Sequence, residues 1–513
     1  MTAAVTTSHR PLDGEKRRTP AVITLLVLAT FVVILNETIM LNAIPNLMNS
    51  FGVTEHAAQW VSTAFMLTMA SVIPVTGWFL QRVTTRTAYA TAMGVFIAGT
   101  LISAIAPVFG ILLAGRVIQA AGTAVMMPLL MTTLMTVVDE NDRGRVMGNV
   151  TMAISVAPAL GPTISGLILG FGSWRLLFLL VLPIAAGVAW SGLRRLENVN
   201  EPAESSVDWA SVVIAALGFG SLVYGLSRFA EGEVGRPVVI AAFGALLILA
   251  FVLRQLRLQR VGSPLLDLRA FLHPTFTKSL VLMAIAFLAM MGSMILLPLY
   301  LQTVRGLSPL MTGLLVMPGG LAMGLLGPTV GRIFDNYGGR VLVIPGSVGI
   351  VVALAGLAQI SLTTPYLLVL VLHLVLMVSL AAAFTPVFTL GLGSLPSHLY
   401  SHGSSILGTL QQVAAAFGTA LAVTVMSVRS DQVIDEVGAV AAQVSGLQAA
   451  FMVSAGLALI VVVMAVLLPA RAEGYGESDE DSVEDSAGEP GADIDAELAE
   501  LCEHGREPAV CGC

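Results

Sequence analysis

Charge is the scarcest feature of this chain. Only 11% of its 513 residues are Asp, Glu, Lys or Arg, whereas soluble domains carry roughly 25%. Hydrophobic residues make up 56% of the chain, and its mean hydropathy is +0.88. Because a water-soluble globule cannot bury so much apolar surface, this composition favours a lipid environment. Inside lipid every backbone group must pair within the protein, which leaves helices or a closed barrel.

Cysteine is also scarce, with three residues that all lie in an acidic tail: Cys502, Cys511 and Cys513. No disulfide can therefore join the apolar segments. The final Cys-Gly-Cys is compatible with metal binding, although a solvated tail with incidental thiols is the favoured interpretation. The tail is rich in Gly, Ser, Glu and Asp, so it cannot bury enough apolar surface to fold. We expect residues 471–513 to be disordered.

The phosphate-binding pattern G-x(4)-G-K-[ST] is missing, so no ATP site is predicted. The sequence has no cluster of carboxylates, histidines or metal ligands at a membrane face, and we expect no catalytic residues, no cofactor and no bound metal. Nucleic acid is not an expected partner. A membrane enzyme and a receptor that signals through the acidic tail stay open as alternatives to a transporter. Deletion of the tail would distinguish the receptor from the transporter, since a transporter without its tail should still export.

Long apolar runs dominate the rest of the chain. A helix needs about 20 residues to cross ~30 Å of hydrocarbon, and fourteen such spans are predicted. The first follows a basic segment, as in a signal peptide, but it is too long and lacks a cleavage site. The sequence therefore predicts an all-α polytopic membrane protein with these spans: 21–43, 59–79, 88–106, 109–131, 146–169, 176–193, 210–226, 237–253, 279–301, 311–330, 341–360, 366–390, 405–426 and 447–468.

Basic residues indicate the orientation of these spans, because cytoplasmic loops carry an excess of Lys and Arg. With a cytoplasmic N-terminus, nineteen of the 25 Lys and Arg residues fall in cytoplasmic segments. Arg116 alone lies within a span, and five fall outside: Arg175, Arg228, Arg236, Arg305 and Arg429. We expect a multi-pass protein of the cytoplasmic membrane with both termini in the cytoplasm.

Two loops of similar sequence follow the second and the tenth span. The later loop carries Gly331, Asp335, Gly338 and Arg340. The earlier loop carries Gly77 and Arg82, with Gln81 in the position of the Asp and Thr84 in that of the Gly. An Asp at a helix end that faces Arg residues of a neighbouring helix would form a latch that opens and closes. A tight turn with arginines that fix topology is the alternative.

Two spans carry polar side chains at helical spacing. Arg116 and Gln119 share one face of the fourth span, followed by Gly122. A guanidinium inside a span costs at least ~2.5 kcal/mol, so it usually faces a cavity or a partner; an Arg that reaches the interface is the alternative. In the first span Glu37 follows Asn36, and it is the only acid within the fourteen predicted spans. Burial would favour its protonation, as a proton carrier requires, while a structural Glu stays open.

The fifth span is rich in small residues at regular spacing. They comprise Gly148, Ala157, Gly161, Pro162, Ser165 and Gly166. Small side chains let neighbouring helices approach closely. We predict a kinked, tightly packed helix that seals one side of a cavity, with generic helix packing as the alternative.

These patterns resemble the signatures of the major facilitator superfamily. The loops are similar to G-x(3)-D-R-x-G-R and the fourth span to R-x-x-Q-G-x-G. The fifth span is similar to G-x(8)-G-x(3)-G-P-x(2)-G-G, which is typical of drug antiporters, and the first to L-D-x-T-I. The resemblance covers residues 21–469, and it is closest to the fourteen-span drug:proton antiporters of the EmrB/QacA type. The Asn-Glu-Thr sequence and the earlier loop look most like the lincomycin-resistance exporters.

The resemblance implies a major facilitator fold of two six-helix bundles plus two inserted helices. The implied divisions are an N-terminal segment (1–20), a first bundle (21–200), the inserted pair (201–260), a second bundle (261–470) and the tail. We expect a monomer that exchanges protons for small lipophilic or cationic compounds such as antibiotics. Export or facilitated passage of an endogenous metabolite or lipid is the alternative.

The implied site lies between the bundles near the middle of the membrane. Proton coupling is assigned to Glu37 and Arg116. Substrate binding is assigned to Asn36, Asn42, Gln119, His373, Gln411 and Gln412, and for His373 a purely packed side chain is equally favoured. Conformational change is assigned to Gly77, Arg82, Gly148, Gly161, Pro162, Gly166, Gly331, Asp335, Gly338 and Arg340.

Overall fold

Helices account for the regular structure of the residues that the computed structural model describes, which are 21–40, 43–170, 172–199, 202, 208–229, 235–260 and 264–471. No strand occurs among them. The helices are α1 (Ala21–Ile39), α2 (Ile44–Phe51), α3 (Glu55–Arg82), α4 (Thr85–Ala104), α5 (Phe109–Val137), α6 (Arg143–Leu169), α7 (Arg175–Arg195), α8 (Trp209–Phe229), α9 (Gly235–Leu258), α10 (Pro274–Leu299), α11 (Pro309–Tyr337), α12 (Arg340–Leu357), α13 (Tyr366–Gly393), α14 (Tyr400–Val437) and α15 (Ala439–Leu467).

Fourteen of the described helices are long and apolar enough to cross a membrane, and α2 is the short exception. The prediction of fourteen spans is confirmed. The tail from 472 onward and the substrate-binding candidate Asn42 lie outside the described residues.

Several helices are longer than the predicted spans. The thirteenth span was predicted at 405–426, whereas α14 has 38 residues. Hydropathy marks only the hydrocarbon layer, while helical hydrogen bonds continue into the interface. These extensions contain Asp335 at the end of α11 and Asp431 near the end of α14. Contrary to the prediction from the sequence, Glu37, two residues before the end of α1, is therefore not the only acid within the described spans.

The helix ends form two faces of different charge. We call one the Arg-rich face; it holds the end of α3, the start of α6 and the end of α11, with Arg82, Arg143 and Arg332 among its cations. It is the face predicted to be cytoplasmic. The opposite face carries the five arginines that were predicted to lie outside.

The contacts divide most of the helices into two groups. In the first, α4 packs on α5 and α7, and α1 packs on α6. In the second, α10 packs on α14, and α13 packs on α11 and α12. The groups meet where α6 lies against α11 and where α3 lies against α14. The division at residues 200 and 260 stays a prediction.

Glycines allow the close approach of α6 and α11. A Cβ on Gly148 would collide with the carbonyl oxygen of Gly327, and a Cβ on Gly331 would collide with that of Gly144. The two backbones are therefore in direct contact, which any larger side chain would prevent.

The helices α8 and α9 form a pair beside the seam between α3 and α14. A small apolar cluster joins Ala70 of α3, Val223 and Leu226 of α8, and Ala416 and Ala420 of α14. Helix α8 thus contacts both groups of helices at once. Helix α9 lies outside α8 and exposes most of its apolar side chains.

Candidate functional site

Arg116 is the most deeply buried cation of the described residues, with 1% of its surface exposed. Its guanidinium donates to Asn36 Oδ1 at 3.2 Å, to Gln119 Oε1 at 2.6 Å and to the carbonyl oxygen of Val61 at 3.4 Å. It also lies 4.2 Å from the centre of the Phe65 ring. These contacts from α1, α3 and α5 compensate a charge that would otherwise be too costly to bury. Arg116 is thus a cation with partners inside the protein.

Gln119 holds Arg116 from the next turn of α5. It is completely buried, and its amide nitrogen donates to Thr100 Oγ1 on α4 at 2.7 Å. That bond fixes the orientation of the amide, so that its oxygen faces the guanidinium. The sequence pattern did not identify Thr100. Both ends of the Gln119 amide are hydrogen-bonded within the protein. A direct contact between Gln119 and substrate stays a prediction.

Asn36 and Glu37 lie on different sides of α1, because consecutive helical residues point about 100° apart. Asn36 is completely buried against Arg116, and its amide nitrogen has no partner among the described residues. Glu37 is only partly buried. Glu37 and Arg116, which are both described, form no direct ion pair. The positive charge of Arg116 still acts electrostatically on the carboxyl group of Glu37. The site thus combines a buried cation with a partly buried acid.

Small residues of α6 press against the same turn of α1. A Cβ on Gly161 would collide with Thr38 Oγ1, and Ser165 donates to the carbonyl oxygen of Ile39 at 2.7 Å. The backbone of Pro162 belongs to the same turn of α6, while its side chain is outside the described part. Gly166 faces open space in this conformation. The fifth-span pattern is therefore connected physically to the segment that carries Glu37.

The other predicted substrate residues lie on the second group of helices. His373 of α13 is 3% exposed and packs against Gly319 of α11. Gln411 and Gln412 of α14 are partly buried, and the amide nitrogen of Gln411 has no partner among the described residues. The hydrogen bonds of Arg116 do not extend to any of these three, so their role in binding stays a prediction.

Asp335 joins the two groups of helices at the Arg-rich face. Its carboxylate accepts hydrogen bonds from the backbone N–H groups of Gly144 at 2.8 Å and Arg145 at 2.7 Å. These groups open α6, and the first N–H groups of a helix have no partner within it and carry a partial positive charge. The predicted latch was an Asp that faces arginine side chains; the structure adds the N-terminus of α6 as the direct partner of Asp335.

The earlier loop makes a weaker connection at the same face. Gln81 donates to the carbonyl oxygen of His398 at 3.0 Å. A Cβ on Gly77 would lie 3.0 Å from the ring of His402 and 3.1 Å from Ser405 Oγ. Gly77 is thus a point of close approach between α3 and α14.

Further polar contacts between the groups were not predicted from the sequence. Thr76 and Ser405 share a hydrogen bond of 2.8 Å, and Thr132 and Ser404 share one of 3.0 Å. Arg143 donates to the hydroxyl of Tyr400 at 3.4 Å. Single Ser and Thr residues in spans give no signal by spacing, because most of them bond to their own helix.

The comparisons with known proteins identify the family. The Major Facilitator Superfamily profile matches residues 26–419, which is most of the chain. The chain belongs to the major facilitator superfamily. Lincomycin resistance protein LmrB of Listeria monocytogenes is 39% identical over 416 residues, which cover 81% of this chain and 88% of that protein. LmrB of Bacillus subtilis is 35% identical over 412 residues, covering 80% and 85%. The Multidrug resistance protein B homolog of Mycobacterium tuberculosis is 29% identical over 435 residues, covering 81% and 79%.

Solved structures agree with this fold. The human organic anion transporter MFSD10 gives a TM-score of 0.62 at 16% identity, covering 87% of this chain and 100% of that one. The proton:xylose symporter XylE gives 0.59 at 15% identity, covering 86% and 95%. At these identities the likeness shows the fold alone. This member of the major facilitator superfamily is a multi-pass membrane transporter and not an enzyme.

The remaining conformational candidates of this facilitator lie around the second loop. Gly338 has a φ of 79°, a left-handed conformation that favours glycine. Arg340 donates to the carbonyl oxygens of Leu468 at 2.9 Å and Val466 at 3.2 Å. It therefore caps the end of α15 within its own group of helices. Arg82 is exposed at the end of α3.

Metal binding finds no support in the described part of the chain. Within residues 21–40, 43–170 and the later described ranges, no three His, Cys, Asp or Glu side chains lie close enough to hold an ion. The three cysteines fall outside those ranges.

Proposed function

We propose that this facilitator is a proton-coupled antiporter that exports small lipophilic or cationic compounds, lincosamide antibiotics among them, from the cytoplasm. In this proposal the Arg-rich face and both termini are cytoplasmic. The names of its relatives, lincomycin resistance and multidrug resistance proteins, support the substrate class. The fifth-span pattern supports antiport.

The observation that carries the proposal is the division of charge between Arg116 and Glu37. Arg116 is locked in hydrogen bonds and stays where it is. Glu37 is partly buried, has no direct ion pair with Arg116 and sits one helical position from the buried Asn36. An acid of this kind can take up and release a proton as its surroundings open and close.

The contacts between the two groups of helices fit one state of an alternating-access cycle. The cross-group hydrogen bonds of Asp335, Thr76, Thr132 and Arg143 lie toward the Arg-rich face. This arrangement is the one expected for a transporter closed toward the cytoplasm.

The energy available to such an exchange is sufficient. One unit of pH gradient supplies about 1.4 kcal/mol per proton, and about 100 mV of membrane potential adds about 2.3 kcal/mol per charge moved. One proton for one neutral substrate would support a concentration ratio on the order of a few hundredfold.

The experiment is transport of lincomycin in proteoliposomes with an imposed pH gradient. We expect Glu37→Gln to abolish accumulation against the gradient and the pH dependence of transport, because the side chain can no longer exchange a proton. Passive equilibration of the drug should remain. The matched control is Glu436→Gln, which changes an exposed acid at the far end of α14 and should leave transport intact.

Normal uphill transport by Glu37→Gln would refute the assignment of the proton site. Transport by the unaltered protein that is equally fast with and without a gradient, and never uphill, would refute antiport. Failure with lincomycin alone is resolved by repeating the assay with a lipophilic cation.

A further inference from the structure

A cavity of about 340 Å³ lies between α8 and α9 near the Arg-rich face. This volume is within the range of small-molecule binding sites. Its lining combines apolar side chains with two guanidinium groups: Ile214, Ala250, Leu253, Leu258, Arg254 and Arg257. The cavity belongs to neither the Arg116 site nor the contact between the two groups of helices.

Among the described residues around the cavity, one of the two arginines is not paired with an acid. Arg254 donates to both carboxylate oxygens of Asp208, at 2.6 and 2.8 Å. The hydrogen bond from Arg254 lowers the pKa of Asp208 to about 2, so this pair stays ionised at any physiological pH. Arg257, one turn further along α9, is exposed and has no hydrogen bond or ion pair among the described residues. The described charges around the cavity therefore sum to one positive charge.

The cavity lies near an exposed tryptophan at the start of α8. Trp209, which begins α8 next to Asp208, is 71% exposed, and exposed tryptophans concentrate at the membrane–water interface. From this level the outer side of α9 continues toward the membrane centre as an exposed apolar surface that includes Leu246 and Leu249, at 62% and 53%. A ligand held at Arg257 would have an apolar surface beside it on which hydrocarbon chains can lie.

We propose that this cavity binds the phosphate group of an anionic phospholipid, with Arg257 as the main contact and the acyl chains along α9. Basic pockets between transmembrane helices on the cytoplasmic side suit such headgroups. The single excess positive charge matches the single negative charge of a phosphodiester. The apolar wall distinguishes a lipid from a free phosphate ion, which has no use for it.

The site is connected to the rest of the transporter through buried hydrogen bonds. Ser211 contacts Asp208 and accepts from Gln255 at 2.7 Å. Gln255 in turn accepts from the backbone N–H groups of Leu265 at 2.8 Å and Leu266 at 3.2 Å. Those residues belong to the segment that leads into α10. A bound lipid would thus stabilise the inserted pair against the second group of helices.

The test is native mass spectrometry of the full chain in detergent, titrated with dioleoylphosphatidylglycerol. We expect one lipid to bind more tightly than the rest, and Arg257→Ala to weaken that binding about fivefold, the effect of one basic residue near an anionic lipid. Arg257→Lys should retain most of the affinity. Arg195→Ala, an exposed arginine on the same face at the end of α7, is the matched control and should change nothing.

A second variant tests the apolar wall independently of charge. Ala250→Phe fills the cavity beside the arginines and should also weaken phosphatidylglycerol binding, while leaving the fold intact because Ala250 is exposed. Equal lipid affinity in the unaltered protein, Arg257→Ala and Ala250→Phe would overturn the proposal. So would equally strong competition by inorganic phosphate, which would assign the site to a free ion. None of these results depends on transport activity.

Discussion

In the proposed mechanism, two adjacent residues of α1 share the role that a single acid would otherwise have. Asn36 is neutral and buried, and it accepts a hydrogen bond from Arg116. Glu37 is ionisable and partly buried. A carboxylate at position 36 would neutralise Arg116 directly inside the protein, and such a buried pair is hard to separate. With Asn at that position, the proposed exchange of a proton at Glu37 would not require an ion pair with Arg116 to break.

Thr100 is a positioning residue in this arrangement, because it acts on Arg116 only through Gln119. We expect Thr100→Val to free the amide of Gln119, to loosen Arg116 and to shift the pH profile of transport, with little change in KM for the drug. Thr100→Ser should restore the original profile. Thr91→Val is the control, since Thr91 is exposed on the same helix and bonds only to its own turn at 2.9 Å. Unchanged pH profiles in Thr100→Val would contradict this role.

The sequence identified Arg116, Gln119 and Glu37 because polar side chains stand out in apolar spans. It could not identify Thr100, whose hydroxyl also donates to its own helix at Phe96, at 2.7 Å. Threonines with such local bonds are common in spans, and only the fold brings this one to Gln119.

At the level of helices, the two similar loops connect the two groups of helices through hydrogen bonds of different strength. Asp335 places a full negative charge on the N-terminus of α6, whereas Gln81 offers a neutral amide to one carbonyl group. Charge-assisted hydrogen bonds are roughly twice as strong as neutral ones. Of the two loops, the one that carries Asp335 therefore makes the stronger connection between the groups of helices.

Asp335→Asn should weaken that closure by about 1–2 kcal/mol, because the carboxylate loses its charge opposite a helix N-terminus. The ratio of closed to open molecules would fall about fivefold to thirtyfold. The measurement is labelling of Ser401→Cys, a buried position at the start of α14, by a membrane-impermeant maleimide from the Arg-rich side. We expect labelling to become faster in Asp335→Asn. The control Asp431→Asn, at the opposite end of α14, should leave the rate unchanged, and an unchanged rate in Asp335→Asn would contradict the latch.

Apolar runs were sufficient to predict all fourteen membrane helices, because each must satisfy its own backbone in lipid. They were not sufficient to predict where α14 ends, or that Asp335 would meet the start of α6. The end of α14 depends on helical hydrogen bonds outside the hydrocarbon layer. The contact of Asp335 with α6 depends on how two segments that are distant in the sequence pack together.

At the scale of the whole molecule, α8 bridges the seam between α3 and α14. Ser71 of α3 donates to the carbonyl oxygen of Ala216 at 3.0 Å, and Trp60 lies 5.6 Å from Tyr224, ring centre to ring centre. Any rocking of the two groups of helices must slide one of them along α8. The small residues at this contact, such as Gly220, allow such sliding better than interlocked large side chains would.

A reversible cross-link tests whether transport requires the Arg-rich face to open. Thr76 and Ser405 are suited to it, because their hydroxyl oxygens are 2.8 Å apart on helices of different groups, within the reach of a disulfide. The three tail cysteines are first replaced by serine. We expect oxidised Thr76→Cys/Ser405→Cys to lose drug transport almost completely and a reductant to restore it. A cross-link within one loop, Ser361→Cys/Thr364→Cys with hydroxyls 3.1 Å apart, should leave transport intact. If the oxidised Thr76/Ser405 pair transports at the normal rate, opening at this seam cannot be part of the cycle, because a covalent bond excludes the separation of α3 and α14 that alternating access requires.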